Sequence, residues 1–506
     1  MDFQHWCAEE QIAQRLLVGY QGTEPSAFFR KLLGYGLGGV ILFADNLAGC
    51  QTPADVRQLT QQLLDIAPAG RPRPWMSVDQ EGGQVERLSH KVFPSLPTPL
   101  SLAQTGNPDL ARQTYALLGQ QLYALGFTMN FAPTLDVNLR PENPVIGVRS
   151  FGNEPETVWR FARTVPETLW PAGVVPVAKH FPGHGNGDVD SHLALPVLHF
   201  TEAELSTFHK AIQADVPAVM VAHGYYPALQ SGKDPDGTPA SLSKTVVNDL
   251  LRERLGFSGV IMTDDLWMGA VTQHEDPVSV ARKALNAGCD VLLYRAAGEA
   301  EEAVFAALVD DLNAGRLDRA THEAALRRIL ALKERQPKPE PVFCEQWAEA
   351  AQRIADSVVA ALPESRFPID LSQPMTLLLP DRRTMGNYAM DVDSSPDLDA
   401  LVRAFRPDAP VSRQFYTPET RSRCPRLPDG AGTVVLVSWL PKWPLPAYWP
   451  ALRDWCDEHP HRRLILISAG LPTEPRELIE RAAAHWPVAC YRPPILRALA
   501  RRLAVG

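Results

Sequence analysis

Short apolar runs alternate with longer stretches of helical spacing along the first 335 residues of the chain. Eight runs stand out: LLVG (16–19), GGVILF (38–43), WMSVD (75–79), TMNFAP (128–133), VVPVAK (174–179), AVMVAH (218–223), GVIMTD (259–264) and DVLLY (290–294). They are rich in Val, Ile, Leu and Met without clean apolar/polar alternation, which suits strands buried on both faces of a parallel sheet. Intervening segments such as DVRQLTQQLLDIA and TEAELSTFHKAIQA have helical periodicity and capping-type starts. Eight such units predict an α/β architecture, a (β/α)8 TIM-type barrel over residues 1–335. Asp79, Lys179, His180, His223, Asp264 and Asp265 all fall at the C-terminal ends of these strands, where a barrel carries its chemistry. An open doubly wound sheet would gather them at one switch point instead.

The pattern changes after the eighth unit. ERQPKPEPVF (334–343) is Pro-rich and charged, and residues 336–344 read as a semi-rigid linker. EQWAEAAQRIADSVVAA (345–361) has the spacing of an amphipathic helix, and PMTLLLPD, GTVVLVSWL, RRLILISAG and WPVACYR read as strands. Residues 345–506 are therefore expected to form a smaller α/β sandwich domain. Beyond about residue 400 no chemical motif is assigned.

Composition narrows the function classes. At 45% hydrophobic and 21% charged residues, the chain has enough apolar material for sizeable cores and too much for disorder. A formal net charge of -9 argues against nucleic acid as the main partner, because phosphate binding needs a basic surface. The N-terminal MDFQHWCAEEQ carries acids where an export signal carries positive charge, and no run approaches the ~18 apolar residues of a membrane helix. Seven scattered cysteines with no CxxC spacing read as reduced thiols, so a cytoplasmic protein without a membrane partner is expected.

The densest chemistry lies in KHFPGHGNGDVDSH (179–192). His180, His184, His192, Asp188 and Asp190 are acceptable metal ligands, yet the FPG between His180 and His184 forbids the regular helix that would pair them. The expectation is no metal and no cofactor. The alternating Gly183, Gly185 and Gly187 suggest a loop with positive φ values and freedom to move. In an extended DSH, Asp190 and His192 lie on the same side and can hydrogen-bond. A carboxylate beside an imidazole stabilises the charged form and suits a general acid, although a loop pair with structural duties alone reads equally well. In GVIMTDD, successive carboxylates point to opposite sides. Asp264 is assigned to the cleft and Asp265 to a structural role. Asp79, Arg87, Arg149, Lys179 and His180 are each readable as caps or ion pairs; together they supply fixed donors and acceptors suited to gripping the hydroxyls of a sugar ring.

DQEGG (79–83), FAPTLDV (131–137), IGVRSFG (146–152), KHFPGHG with DSH (179–192), MVAHGYYPAL (220–229) and GVIMTDDLWM (259–268) occur in the order and spacing of family 3 glycoside hydrolases. Over residues 10–335 the chain most resembles the bacterial β-N-acetylglucosaminidases that trim peptidoglycan fragments. The resemblance implies a retaining exo-hydrolase with a small carbohydrate substrate. Asp264 matches the family nucleophile, and His192, held by Asp190, matches the mobile-loop acid/base. Asp79, Arg87, Arg149, Lys179 and His180 match residues that hold the terminal sugar, with His223 near the same pocket. One departure is Val148, where relatives often carry an acid that bears on the support of Arg149. Four rival readings remain. A β-glucosidase or a phosphorylase would share the family, since a histidine acid/base does not repel phosphate as a carboxylate does. A non-catalytic glycan-binding protein or a metal-dependent hydrolase on the same barrel would not.

Overall fold

The computed structural model describes residues 3–88, 92–141, 143, 145–187, 191, 194–272, 275–343, 346–363, 375–380, 411–416, 432–438, 449–459, 463–470 and 476–505. β1 (Leu16–Val18), β2 (Gly39–Ile41) and β3 (Trp75–Val78) open the chain's first sheet. A short antiparallel hairpin follows, β4 (Gln80–Gly82) with β5 (Val85–Glu86). β6 (Met129–Asn130), β7 (Val175–Phe181), β8 (Ala218–Val221), β9 (Val260–Asp265) and β10 (Val291–Tyr294) complete the sheet. Its order is β1-β10-β9-β8-β7-β6-β3-β2, all parallel and closed into a barrel. Each of the eight apolar runs read from the sequence forms one of these strands.

Alternation along the strands decides what the barrel encloses. Leu17, Ile41, Trp75, Met129, Val175, Val177, Ala218, Met220, Val260, Met262, Val291 and Leu293 meet in one apolar cluster, with every strand contributing. The intervening residues, such as Val18, Val40, Met76, Ala178, Val219 and Ile261, pack outward against the helices. Because the side-chain period is two, the inward row of β3 runs from Trp75 through Ser77 to Asp79 and that of β7 from Val175 and Val177 to Lys179, while that of β9 holds Val260 and Met262 before its pairing with β10 shifts register ahead of Asp265. The apolar filling thus ends at the C-terminal rim in charged residues of the same parity.

A second, five-stranded parallel sheet has the order β12-β11-β13-β14-β15, from β11 (Met375–Pro380), β12 (Val411–Tyr416), β13 (Thr433–Ser438), β14 (Arg463–Ser468) and β15 (Ala484–Trp486). Helix Trp347–Ala360 packs on helix Pro493–Val505 and also against helix Pro108–Ala124 of the barrel. Two details differ from the sequence reading. The edge strand β12, VSRQFY, was not anticipated, because its polar residues leave no apolar run to detect. WPVACYR was expected as a strand, whereas β15 ends at Trp486 and the chain turns away at Ala489, whose φ of 51° is left-handed.

Among the described residues no helix is long and apolar enough to cross a membrane, and Cys7, Cys50, Cys289, Cys456 and Cys490 are free thiols.

Candidate functional site

Lys179 is the centre of the rim. Its ammonium donates to Asp79 Oδ1 and Glu81 Oε1, both at 2.7 Å. Glu81 also receives Arg149 in a two-pronged contact, Nε at 3.0 Å and Nη2 at 2.7 Å, the fork geometry a guanidinium offers and an ammonium cannot. Arg149 Nη2 lies 3.3 Å from His180 Nε2, and the opposite ring nitrogen of His180 is 2.7 Å from Asp136 Oδ2. Arg87 reaches Asp79 Oδ2 at 3.5 Å. Lys179 and His180 are consecutive in β7, joined by a cis peptide bond, and the pairing with β8 is irregular there.

Burial separates the roles of the two rim carboxylates. The side chains of Lys179 and Glu81 are 2% exposed and that of Asp79 is 16% exposed, so Asp79 is the carboxylate that faces outward while Glu81 lies beneath as scaffold. Burial by itself raises the pKa of each acid. Lys179 and Arg87 overcome that effect at Asp79, and Arg149 and Lys179 overcome it at Glu81. Both carboxyls end below the usual carboxylate range, and Glu81 raises the pKa of the Arg149 guanidinium further. Asp136 follows the same pattern, with burial outweighed by His180. Asp79, ionised at neutral pH, and the N–H donors around it form a surface that can accept from and donate to hydroxyl groups. One N–H of Lys179 remains for a ligand after its two ion pairs.

Asp264 lies near the end of β9, where the pairing with β10 shifts register, and its Oδ1 accepts the Asp265 amide at 2.8 Å. Asp265, which pairs with Leu293 of β10, accepts the amides of Trp267 and Arg295, both at 3.1 Å. Burial pushes its carboxyl up to about 6. His223 links two strand ends: its Nε2 lies 2.9 Å from the Asp265 carbonyl and its Nδ1 lies 2.7 Å from the Ser241 hydroxyl. In the neutral ring this makes Nε2 the protonated nitrogen, since a carbonyl only accepts.

The start of the glycine-rich segment is anchored, which corrects the expectation of a hinge built from three positive-φ glycines. The amides of His184 and Gly185 donate to Asp136 Oδ1 and Glu204 Oε1, each at 2.7 Å. Asn186 donates to Glu204 and to the His199 carbonyl, both at 2.6 Å. Of the three glycines, only Gly183 has positive φ, and a Cβ at Gly185 would lie 1.6 Å from the Val137 carbonyl oxygen. Close approach of backbones therefore explains Gly185. Asp188, Asp190 and His192 lie outside the described residues. Among the described residues no group of three His, Cys, Asp or Glu is arranged to hold a metal ion.

Residues 8–332 match the model of the glycosyl hydrolase family 3 N-terminal domain. The chain belongs to glycoside hydrolase family 3. It is 32% identical over 416 residues to β-hexosaminidase A of Pseudoalteromonas piscicida, covering 76% of this chain and 69% of that protein. It is 33% identical over 339 residues to the β-hexosaminidase LpqI of Mycobacterium tuberculosis, covering 65% and 83%. The solved structure of a family 3 β-N-acetylglucosaminidase from Paenibacillus sp. str. FPU-7 superposes with a TM-score of 0.83 at 31% identity, covering 98% of this chain and 96% of that one.

Within this family 3 enzyme, Asp79, Arg87, Arg149, Lys179 and His180 form one connected network. Sequence reasoning missed Glu81 and Asp136, the two acids that hold it together, although both sit inside quoted segments (DQEGG and FAPTLDV). The available signal was an acid between apolar or glycine neighbours in a strand-end segment, a setting that demands a partner when buried. Phe43 was missed as well. Its ring lies between the guanidiniums of Arg87 and Arg295, at 5.3 and 4.7 Å.

Proposed function

We propose that this glycoside hydrolase is a retaining exo-β-N-acetylglucosaminidase that releases terminal N-acetylglucosamine from cell-wall-derived disaccharides or muropeptides. The observation that carries the proposal is the rim layer itself, in which Asp264 lies near the end of β9, at the same end of the barrel as the Asp79–Lys179–Glu81–Arg149–His180 network. The sugar is supported by the 31% identity to a β-N-acetylglucosaminidase along nearly the whole chain.

In this mechanism Asp79, Lys179 and Arg87 hold the ring hydroxyls, with Glu81 and Asp136 fixing Lys179, Arg149 and His180. A carboxylate oxygen of Asp264 attacks the anomeric carbon as the glycosidic C–O bond breaks, and His192 transfers its proton to the departing oxygen. Asp190 keeps that imidazole protonated and oriented. Water then attacks the glycosyl ester, gives a proton to His192 and frees Asp264. Because two displacements occur at one carbon, the product keeps the β configuration.

Asp264→Asn should lower kcat on p-nitrophenyl β-N-acetylglucosaminide by roughly 10⁴-fold or more with the fold intact. A 2-fluoro glycoside should label Asp264 in the parent enzyme. Labelling of another residue would displace the nucleophile assignment. Sugar phosphate appearing in phosphate buffer, in place of free sugar, would replace hydrolysis by phosphorolysis.

A further inference from the structure

The C-terminal part of the chain touches the back of the sugar-holding network through four residues, 489–492. The Ala489 carbonyl accepts a hydrogen bond from the Thr98 hydroxyl at 2.8 Å. Ala489 is fully buried in a small apolar cluster with Val148 and Leu100. Arg492, also buried, places its guanidinium 3.1 Å from Glu86 Oε2 and donates to the Gly83 carbonyl and, at 3.5 Å, to the Gln84 carbonyl.

These contacts fall on two backbone segments that carry the network. Gln80–Glu86 is the β4–β5 hairpin, which begins one residue after Asp79 and contains Glu81. Val148 directly precedes Arg149. The hairpin turn is already tight: Gly83 has φ +64°, and a Cβ there would lie 2.1 Å from the Thr98 methyl. The far side of Glu86 accepts the Leu96 amide at 2.9 Å. Arg492 thus closes the open face of a turn whose other face rests on residues 96–98.

We infer that residues 489–492 form a positioning element for the sugar-holding network, with Arg492 fixing the Gln80–Glu86 hairpin and through it Asp79 and Glu81. A guanidinium suits this task because its planar fork binds a carboxylate and backbone carbonyls at once and stays charged when buried. The barrel's binding site is then incomplete without the second sheet's final segment, and Arg492 acts without touching the substrate. The inference rests on the reading of the Asp79 network as the sugar-holding side.

The test uses the full-length enzyme and p-nitrophenyl β-N-acetylglucosaminide. Arg492→Met, which keeps the volume and removes the fork, should raise KM about tenfold or more, with kcat changed less, since small displacements of binding groups are felt strongly. Arg492→Lys should recover part of that loss. The double variant Arg492→Met with Glu86→Gln should be no worse than the sum of its parts and closer to the larger single effect. Asp79→Asn serves as the control for the underlying reading. If it leaves KM and kcat unchanged, the sugar-holding assignment fails. If it impairs binding while folded Arg492→Met has the parent's KM, the positioning role is overturned. Should Arg492→Met not fold, Arg492→Gln carries the same decision: a folded glutamine variant with the parent's KM would refute the role, and a raised KM would support it.

Discussion

Replacing Glu81 by glutamine isolates the contribution of the buried scaffold beneath the rim. The carboxylate accepts Lys179 at 2.7 Å through Oε1, and Arg149 through both oxygens. Glutamine keeps one acceptor and turns an NH2 group toward a cation. Lys179 then keeps Asp79 alone, and Arg149 is left with the weaker influence of Asp136 and Asp79. Removing one partner of a buried pair costs about 3–5 kcal/mol, because the other charge stays desolvated. An unfolding entropy of about 2.1 cal/mol/K per residue gives roughly 0.7 kcal/mol/K for a barrel of about 330 residues, so the melting temperature should fall by about 4–7 °C.

Scanning calorimetry of both proteins measures that shift, and pH separates charge from packing. The folded pKa of Glu81 is held below its ordinary value of 4.5, so its stabilisation is fully present above that pH and is lost as pH falls toward the folded value. The difference between parent and variant should therefore narrow below pH 4.5, at about 1.4 kcal/mol per pH unit. An unchanged melting temperature would refute the reasoning. A stability gap that stays constant on acidification would show that glutamine fails for reasons of shape rather than charge.

Two further predictions concern the glycine-rich segment. Burial, with a smaller contribution from Asp136, pushes the Glu204 carboxyl from 4.5 up to about 7. Its raised folded pKa favours the folded state at low pH, and that advantage is lost as pH rises from 4.5 to about 7. Glu204→Gln should flatten this part of the stability curve in urea titrations, by an amount on the order of 3 kcal/mol; an unaltered slope would assign it to another group. His192→Ala should cripple hydrolysis of a natural disaccharide and slow an activated aryl glycoside much less, because a good leaving group departs without protonation. Equal losses on both substrates would remove His192 from the acid/base role.

The barrel and its rim were legible because one physical rule governs both. Strands filled by apolar side chains on alternate positions must end somewhere, and the first charged residue of the inward parity marks the rim: Asp79 and Lys179 follow from that rule, whereas the register shift of β9 before Asp265 puts Asp264 beyond its reach. The partners of these charges were not legible. Lys179 meets Asp79 across 100 positions of sequence, and Glu81 meets Arg149 across 68, separations that only the closed sheet brings together. The glycine alternation misled for a related reason. A glycine demanded by a neighbouring backbone looks the same in sequence as one demanded by a left-handed turn, and Gly185 is the first kind. β12 was invisible because an edge strand with Ser, Arg and Gln between its apolar residues carries no continuous run.

The same network sets three of the rim acids apart from Asp264. Asp79 and Glu81 are held below the usual carboxylate range by cations in direct contact, and Asp136 by its contacts with His180 and the His184 amide. A carboxylate in that state is a weak base whose lone pairs are engaged, good at accepting a hydrogen bond and poor at forming a bond to carbon. Asp136, fully buried, serves backbone amides and His180, while Asp79 retains enough exposure to meet a hydroxyl. Asp264 comes from a different strand, β9, and its Oδ1 accepts the Asp265 amide. A barrel can therefore hold several acids at one rim in different states: those tied to lysine and arginine are fixed as hydrogen-bond acceptors, and under the proposed mechanism the attack falls to the acid supplied by β9.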